Sequence, residues 1–346
     1  MAVLGAGSWG TALAIHLGRL GTRTSLWARD PALAGAMVET GENSRYLPGI
    51  AIPARVEATS DPVEALARAA VVVVAIPSHF VETVLGDVAA AVPRGATLLS
   101  ATKGLEPRRG RRISQLLGTV FPREPVAVLS GPSFAREVAL GQPTALVIAS
   151  SDDDVGRALQ RDLAAPEFRL YTNRDVTGVE IGGAIKNVMA IATGLCDGLA
   201  LGENARAALI TRGLAEIVRL GVALGAQPAT FLGLAGLGDL VLTCTGSQSR
   251  NRALGCEIAR GRSLADVERG TRMVAEGVRT VASALDLARG AGVVMPICEE
   301  VAAVLFRGKS VADGLRSLLA REPRPEDEAH SVPGGDAPSE FHRPHA

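Results

Sequence analysis

Short apolar runs alternate with helical patterns over the first half of the chain. Residues 3–4, 25–28, 71–76, 97–100, 126–130 and 145–149 are apolar enough to read as buried strands. Between several of them lie amphipathic or Ala-rich stretches at helical spacing, such as 11–20 and 61–68. Strands alternating with helices imply a parallel, doubly wound sheet covered on both faces. From about residue 176 to 319 the strand signal disappears. Helical patterns then follow one another with short Gly-containing breaks, as over 209–224, 264–269 and 278–288. The pattern predicts an α/β domain over residues 1–176 and an all-α domain over 177–320, with the boundary near 173–177. Residues 321–346 open with charges and Pro, continue with Pro, Gly and His, and carry no apolar pattern, so a disordered tail is expected. Only Met1 and Ala2 precede Val3, which makes the first strand very short.

Composition narrows the function classes. The 346 residues are 47% hydrophobic but only 3% aromatic, so Ala, Val, Leu and Ile must build the cores. A net charge of zero argues against a nucleic-acid or acidic-membrane partner held by bulk electrostatics. No signal peptide and no apolar segment long enough to cross a bilayer are expected. Cys196, Cys244, Cys256 and Cys298 are scattered without metal-ligand spacing, so they read as reduced, mostly buried thiols, and no metal site is expected. Of the 36 basic residues only Lys103, Lys186 and Lys309 are lysines. Arg serves wherever a generic cation suffices, so a lysine draws attention: an amine can lose its proton near neutrality and a guanidinium cannot. Lys309 lies in an ordinary-looking Arg-Gly-Lys-Ser turn; the other two do not.

The first strand runs into Gly5-Ala6-Gly7-Ser8-Trp9-Gly10, a G-x-G-x-x-G turn that opens a helix. Gly5 suits the tight turn, Gly7 the close approach of a pyrophosphate, and Gly10 the packing of helix on strand. The helix N-terminus then offers free N–H groups to phosphates, which makes the first domain Rossmann-type and the ligand a dinucleotide. The second strand ends Leu26-Trp27-Ala28-Arg29-Asp30. Arg29 there can hold a ribose 2′-phosphate, which favours NADPH, while Asp30 keeps NADH open.

Reaction type must come from elsewhere. Only His16 and His79 lie outside the tail. His16 reads as packed in its helix and His79 as a helix cap, so a histidine base in the second domain is unavailable. Lys103 follows a sheet strand and points at the crevice where such sheets bind ligands, unless it is a helix-flanking surface charge. Gly131-Pro132-Ser133 also ends a strand, and reads either as a seat for a small phosphate or as a plain turn. Ile181, Ile185, Val188, Ala192 and Leu195 form a core stripe, with Lys186 off it beside Gly183, Ala190 and Thr193. A partly desolvated amine with Lys103 as cationic neighbour would have a lowered pKa, as a general acid–base needs. A buried, ion-paired lysine is the alternative. Asp239 could orient Lys186, Arg250 could clamp a phosphate, and Ser249 and Asn251 could add neutral hydrogen bonds.

Taken together these segments resemble the NAD(P)-dependent glycerol-3-phosphate dehydrogenases of bacterial type. The motifs carrying the resemblance are the Gly5–Gly10 turn, Tyr46-Leu47-Pro48-Gly49, Ala101-Thr102-Lys103-Gly104-Leu105, Ser130-Gly131-Pro132-Ser133-Phe134-Ala135, Lys186-Asn187, Gly236-Leu237-Gly238-Asp239-Leu240, Ser249-Arg250-Asn251-Arg252 and Glu276-Gly277. Their common order is far more specific than any one of them. The resemblance implies a helical domain like the 6-phosphogluconate dehydrogenase C-terminal type. It implies that Lys186 exchanges the proton at the carbinol oxygen, and that Lys103, Gly131, Ser133, Asp239, Ser249, Arg250 and Asn251 hold dihydroxyacetone phosphate or sn-glycerol 3-phosphate. It also implies that Ser8, Trp9, Arg29, Lys103, Ala135, Arg250, Val274 and Glu276 touch NADPH or NADH. A cytoplasmic homodimer that feeds phospholipid synthesis follows from the same resemblance. The rival readings are a related two-domain 3-hydroxyacid dehydrogenase and a catalytically idle nucleotide sensor.

Overall fold

The computed structural model describes residues 1–270, 275–323, 325 and 326. Eight strands form one sheet in the order 3-2-1-4-5-6-7-8. They are β1 (Ala2–Leu4), β2 (Thr24–Trp27), β3 (Val56–Thr59), β4 (Val71–Val74), β5 (Thr97–Ser100), β6 (Val126–Ser130), β7 (Thr144–Ala149) and β8 (Phe168–Asn173). Helices α1 (Ser8–Arg19), α2 (Pro31–Thr40), α3 (Pro62–Leu66), α4 (Ser78–Val88), α5 (Ile113–Val120), α6 (Ala135–Ala139) and α7 (Asp153–Leu163) connect them. Every residue of β1 and β4 is buried, as central strands covered on both faces require. The two apolar layers are separate: Leu13, Ile15, Leu17 and Leu129 lie in one, Leu66, Leu85, Leu98 and Leu117 in the other. Strand order turns in opposite directions on either side of β1, so the switch point falls between β1 and β4.

The sheet differs from the expected all-parallel one at β7, which runs antiparallel to β6, while β8 is parallel to β7. Between β6 and β7 the chain spends four residues on a loop, five on α6, which packs on α1, and four more before Thr144. With so short a helix, held against α1, β7 returns beside β6 in the opposite sense. Two edge strands, β3 and β8, add to the expected set. β3 pairs with β2 alone and β8 with β7 alone, and β8 alternates buried Phe168 and Leu170 with exposed Arg169 and Tyr171.

The remaining elements are helical. They run α8 (Val176–Gly198), α9 (Glu203–Ala223), a π-helical turn (Leu234–Gly238), α10 (Asp239–Thr245), α11 (Arg250–Ala259), α12 (Leu264–Arg269), α13 (Glu276–Gly290), α14 (Pro296–Phe306) and α15 (Val311–Leu319). The expected apolar stripe on α8 is corrected, because nearly its whole length is buried all round, with α9, α10, α11, α13 and α14 packed against it. The missing side chains at Gly194, Gly255 and Gly277 let these helices touch backbone to backbone. α8 is also long and apolar enough to cross a membrane, contrary to expectation; its burial inside the protein makes it a core helix. A small apolar cluster of Val128, Val147, Ala149, Val179 and Ala235 seals the helices to β6 and β7. Val274 and most of the 321–346 tail lie outside the described residues.

Candidate active site

The turn after β1 meets each steric requirement placed on it. Gly5 has φ +112°, and a Cβ there would sit 2.6 Å from the Ala75 carbonyl oxygen. A Cβ on Gly10 would collide with the Gly5 carbonyl oxygen. At Gly7 a Cβ would meet nothing within 4 Å, so its backbone faces open space at the N-terminus of α1. That space fits a pyrophosphate, held by free N–H groups and the positive end of the helix dipole. The turn is braced from outside: Ser8 Oγ donates to the Tyr46 carbonyl at 2.8 Å and Trp9 Nε1 to the Ala101 carbonyl at 3.1 Å. Fully buried Asn43 donates to the Ala6 carbonyl at 2.9 Å and to Thr11 Oγ1 at 2.8 Å. Sequence reasoning missed Asn43, since an Asn among polar residues reads as loop.

The structure separates Arg29 from Asp30. Asp30 caps α2 through the Ala32 N–H at 3.0 Å and pairs with Arg45 Nη1 at 3.0 Å. Arg29 is exposed, and its guanidinium carbon lies 4.8 Å from the centroid of the Phe80 ring. His16 is packed as expected, with Nε2 2.7 Å from the Leu163 carbonyl oxygen and its ring 4.0 Å from Phe168. His79 is not a cap: Pro77 occupies that position in α4, and no side chain bonds there.

Across the crevice, five of the expected residues converge. Thr102 bonds the Ile76 carbonyl at 2.8 Å and fixes the loop after β5. Lys103 then donates to the Gly131 carbonyl at 2.7 Å, to Ser133 Oγ at 3.3 Å and to Asp239 Oδ2 at 2.8 Å. Lys186 donates to the other oxygen of Asp239 at 2.5 Å and to Thr243 Oγ1 at 2.7 Å. Asp239 is 1% exposed and Lys186 5%. As the first residue of α10, Asp239 also meets the positive end of that helix. α8 is aimed by Glu180, which accepts from the Ser114 N–H and from Arg112 Nη1, each at 2.8 Å. The side-chain-poor face of α8 admits β6: a Cβ on Gly183 would sit 2.6 Å from Ser130 Oγ.

One carboxylate thus serves two ammonium groups, and the cluster keeps a surplus positive charge when both lysines are protonated. Burial lowers the Lys186 pKa to about 8 from the usual 10.5; Lys103 pushes the same way and Asp239 opposes. The amine therefore changes protonation close to neutral pH, which a proton donor and acceptor requires. An isolated buried ammonium would be far costlier, so Asp239 is what allows the charged form at all.

The first turn of α11 is placed differently. Ser249 Oγ accepts from the Arg252 N–H as the cap of α11. Asn251 donates to Asn187 Oδ1 at 2.9 Å and accepts from the Gly277 N–H at 3.0 Å, which ties α13 to α8. Neither is bonded to the lysine–aspartate cluster. Arg250 is exposed, makes no ion pair among the described residues, and has its pKa lowered by surrounding protein, with Glu276 opposing. Ala135 opens α6, half-buried beyond Ser133. Glu276 Oε2 accepts from Ser78 Oγ at 2.9 Å, a bond spanning 198 residues from helix α13 to the start of α4; Ser78 gave no sequence signal.

Known proteins share the sequence and the fold of this chain. Residues 1–156 match the NAD-dependent glycerol-3-phosphate dehydrogenase N-terminus and residues 175–316 the corresponding C-terminus. Glycerol-3-phosphate dehydrogenase, NAD(P)+, of Moorella thermoacetica is 49% identical over 336 residues, which cover 97% of this chain and 98% of that one. The same enzyme of Citrifermentans bemidjiense is 49% identical over 329 residues, 94% of this chain and 98% of that one. The crystal structure of glycerol-3-phosphate dehydrogenase from Coxiella burnetii superposes with a TM-score of 0.90 at 38% identity, covering 92% of this chain and 98% of that one. The chain belongs to the NAD-dependent glycerol-3-phosphate dehydrogenase family.

Proposed function

We propose that the chain catalyses reversible hydride transfer between NAD(P)H and dihydroxyacetone phosphate, giving sn-glycerol 3-phosphate, with residues 1–176 holding the dinucleotide and 177–320 completing the substrate site. The observation that carries this is the Lys103–Asp239–Lys186 cluster in a chain of this family that also holds the open Gly7 cradle. When bound, the nicotinamide supplies the hydride for reduction and receives it in oxidation.

The chain's own groups handle charge and protons. Lys186 as ammonium gives its proton to the carbonyl oxygen as that carbon gains the hydride, and the neutral amine takes it back from the hydroxyl in reverse. Asp239 holds the ammonium in place through its 2.5 Å bond. Lys103, fixed by the Gly131 carbonyl and Ser133, stabilises negative charge developing on the oxygen. Unpaired Arg250 is suited to take the phosphate bidentately. Gly5, Gly7, Ser8, Trp9 and Gly10 cradle the pyrophosphate, Arg29 reads the ribose 2′-position in favour of NADPH, and Ala135 and Glu276 border the dinucleotide. Asp30, engaged by Arg45 and α2, supports that preference. A cytoplasmic homodimer supplying phospholipid synthesis rests on the family alone.

Loss of NADPH absorbance on adding dihydroxyacetone phosphate tests the assignment. Turnover with the triose phosphate, competitive inhibition by inorganic phosphate and no turnover of 3-hydroxyisobutyrate with NADP+ support it. The reverse pattern would reassign the site to a 3-hydroxy acid.

A further inference from the structure

The carboxyl edge of the sheet carries a second cluster, outside the catalytic one. Phe80 is flanked by the Arg29 guanidinium, 4.8 Å from its centroid, and by the His79 ring, whose centroid is 4.0 Å away. His79 Nδ1 is buried and has no hydrogen-bond partner. The one nearby carboxylate on β2's end, Asp30, is spent on Arg45 and the α2 cap. From the other side comes α13, brought against the sheet by the bond between Glu276 and Ser78, the residue before His79. Arg279 stands one turn along α13 on the same face as Glu276, and so beside His79. Arg279 is exposed, and among the described residues neither it nor Arg29 forms an ion pair.

We propose that Arg279 and His79 complete, with Arg29, a subsite for the ribose 2′-phosphate of NADPH, so that this phosphate bridges the sheet and the helical layer. Glu276 offsets part of the Arg279 charge from one turn away, but neither guanidinium is held in an ion pair among the described residues, so each is left to grip phosphate oxygens bidentately. Burial, then Arg279 and Arg29, hold the His79 pKa down to about 4, so its ring is neutral and donates one N–H without adding charge. An orphaned buried nitrogen gains a partner when the phosphate arrives. NADH lacks that group, and its bare 2′-hydroxyl would leave all three donors unused. The subsite therefore rests on Arg29 reading the 2′-position, and extends that role to a residue of the opposite layer.

The test is calorimetric titration of the full chain with adenosine 2′,5′-bisphosphate and with adenosine 5′-monophosphate, which isolates the 2′-phosphate from any turnover. Wild type should bind the bisphosphate at least about tenfold tighter, since a charge-assisted contact is worth about that factor. Arg279→Gln should shrink the ratio about tenfold and leave the monophosphate unchanged, and His79→Gln should shrink it less. Arg279 is exposed and unpaired, so the variant should melt with the wild type. If wild type does not discriminate, both the Arg29 reading and the subsite fall. If wild type discriminates and Arg279→Gln keeps the full ratio, the subsite alone is overturned.

Discussion

Replacing Asp239 with Asn keeps the side chain's shape and removes the charge that two ammonium groups share. Lys186 and Lys103 then face one another with no counter-ion, in a place where position 239 is 1% exposed. Lys186 already titrates at about 8 with Asp239 holding it up, so the substitution must lower it further. An opposite charge at about 4 Å is worth about 4 kcal/mol at an effective dielectric constant of about 20. Relaxation and water entry take part of this away; if about 2.7 kcal/mol is lost, the shift is about two pKa units, to roughly 6. Reduction needs the ammonium. At about pH 7.5 its fraction would fall from roughly three-quarters to about 3%, a loss of about 25-fold. The assay is kcat/KM for dihydroxyacetone phosphate, followed from about pH 5 to 9.5 in both proteins. Wild type should lose reductase activity above about pH 8 and Asp239→Asn above about pH 6, the two converging at low pH. Oxidation of glycerol 3-phosphate needs the neutral amine, so its lower limb should move down by the same interval. A break near pH 8 in both proteins would refute the claim that Asp239 sets the protonation of Lys186.

Gly7→Ala should fold with a melting temperature near wild type, because its Cβ meets no protein atom, yet lose at least tenfold in NADPH affinity through the blocked cradle; Gly10→Ala should instead unfold more easily, since its Cβ strikes the Gly5 carbonyl. Fluorescence titration and thermal melting of both variants separate the two effects. Glu216, on α9, is buried against the start of α14, whose Ile297 and Cys298 N–H groups donate to it, and burial raises its pKa to about 7 from 4.5. The folded state thus binds the proton more tightly than the unfolded one. Stability from this group is fully present below about pH 4.5 and lost as pH rises through about 7, about 3 kcal/mol in all. Glu216→Gln should flatten that slope in urea unfolding between about pH 5 and 8, and parallel pH profiles for the two proteins would contradict the assignment.

The glycines of the cradle and the two lysines were legible because their positions are local: each follows a strand or sits on a strongly apolar helix. Their partnership was only half legible. The Lys103–Asp239 bond spans 136 residues and the Lys186–Asp239 bond 53, distances over which spacing carries no geometry. β3 and β8 escaped because an edge strand is half solvated and short of apolar residues, as Val56-Glu57-Ala58-Thr59 illustrates. The reversal of β7 depends on how α6 packs against α1, which no pattern along the strand reveals. On α8 the stripe misled, because a helix wrapped by five others has no solvent face against which polar residues could mark a side. Which of Arg29 and Asp30 is left without an ion pair at the end of β2 was decided by Arg45, fifteen residues from Asp30 in sequence. Ser249 and Asn251 are bonded to the backbone and to Asn187 within the helical layer, contacts that spacing along the chain does not reveal.

The central claim is that Lys186 is the group that exchanges the proton. The most direct measurement is kcat for NADPH oxidation by dihydroxyacetone phosphate in Lys186→Ala, alongside NADPH affinity measured in the same preparation. A loss of about 100- to 10,000-fold in kcat with NADPH affinity unchanged is the predicted result, the range a positioned acid–base group contributes. A variant that keeps kcat within about threefold of wild type while binding NADPH normally would contradict the account and move the proton to another group.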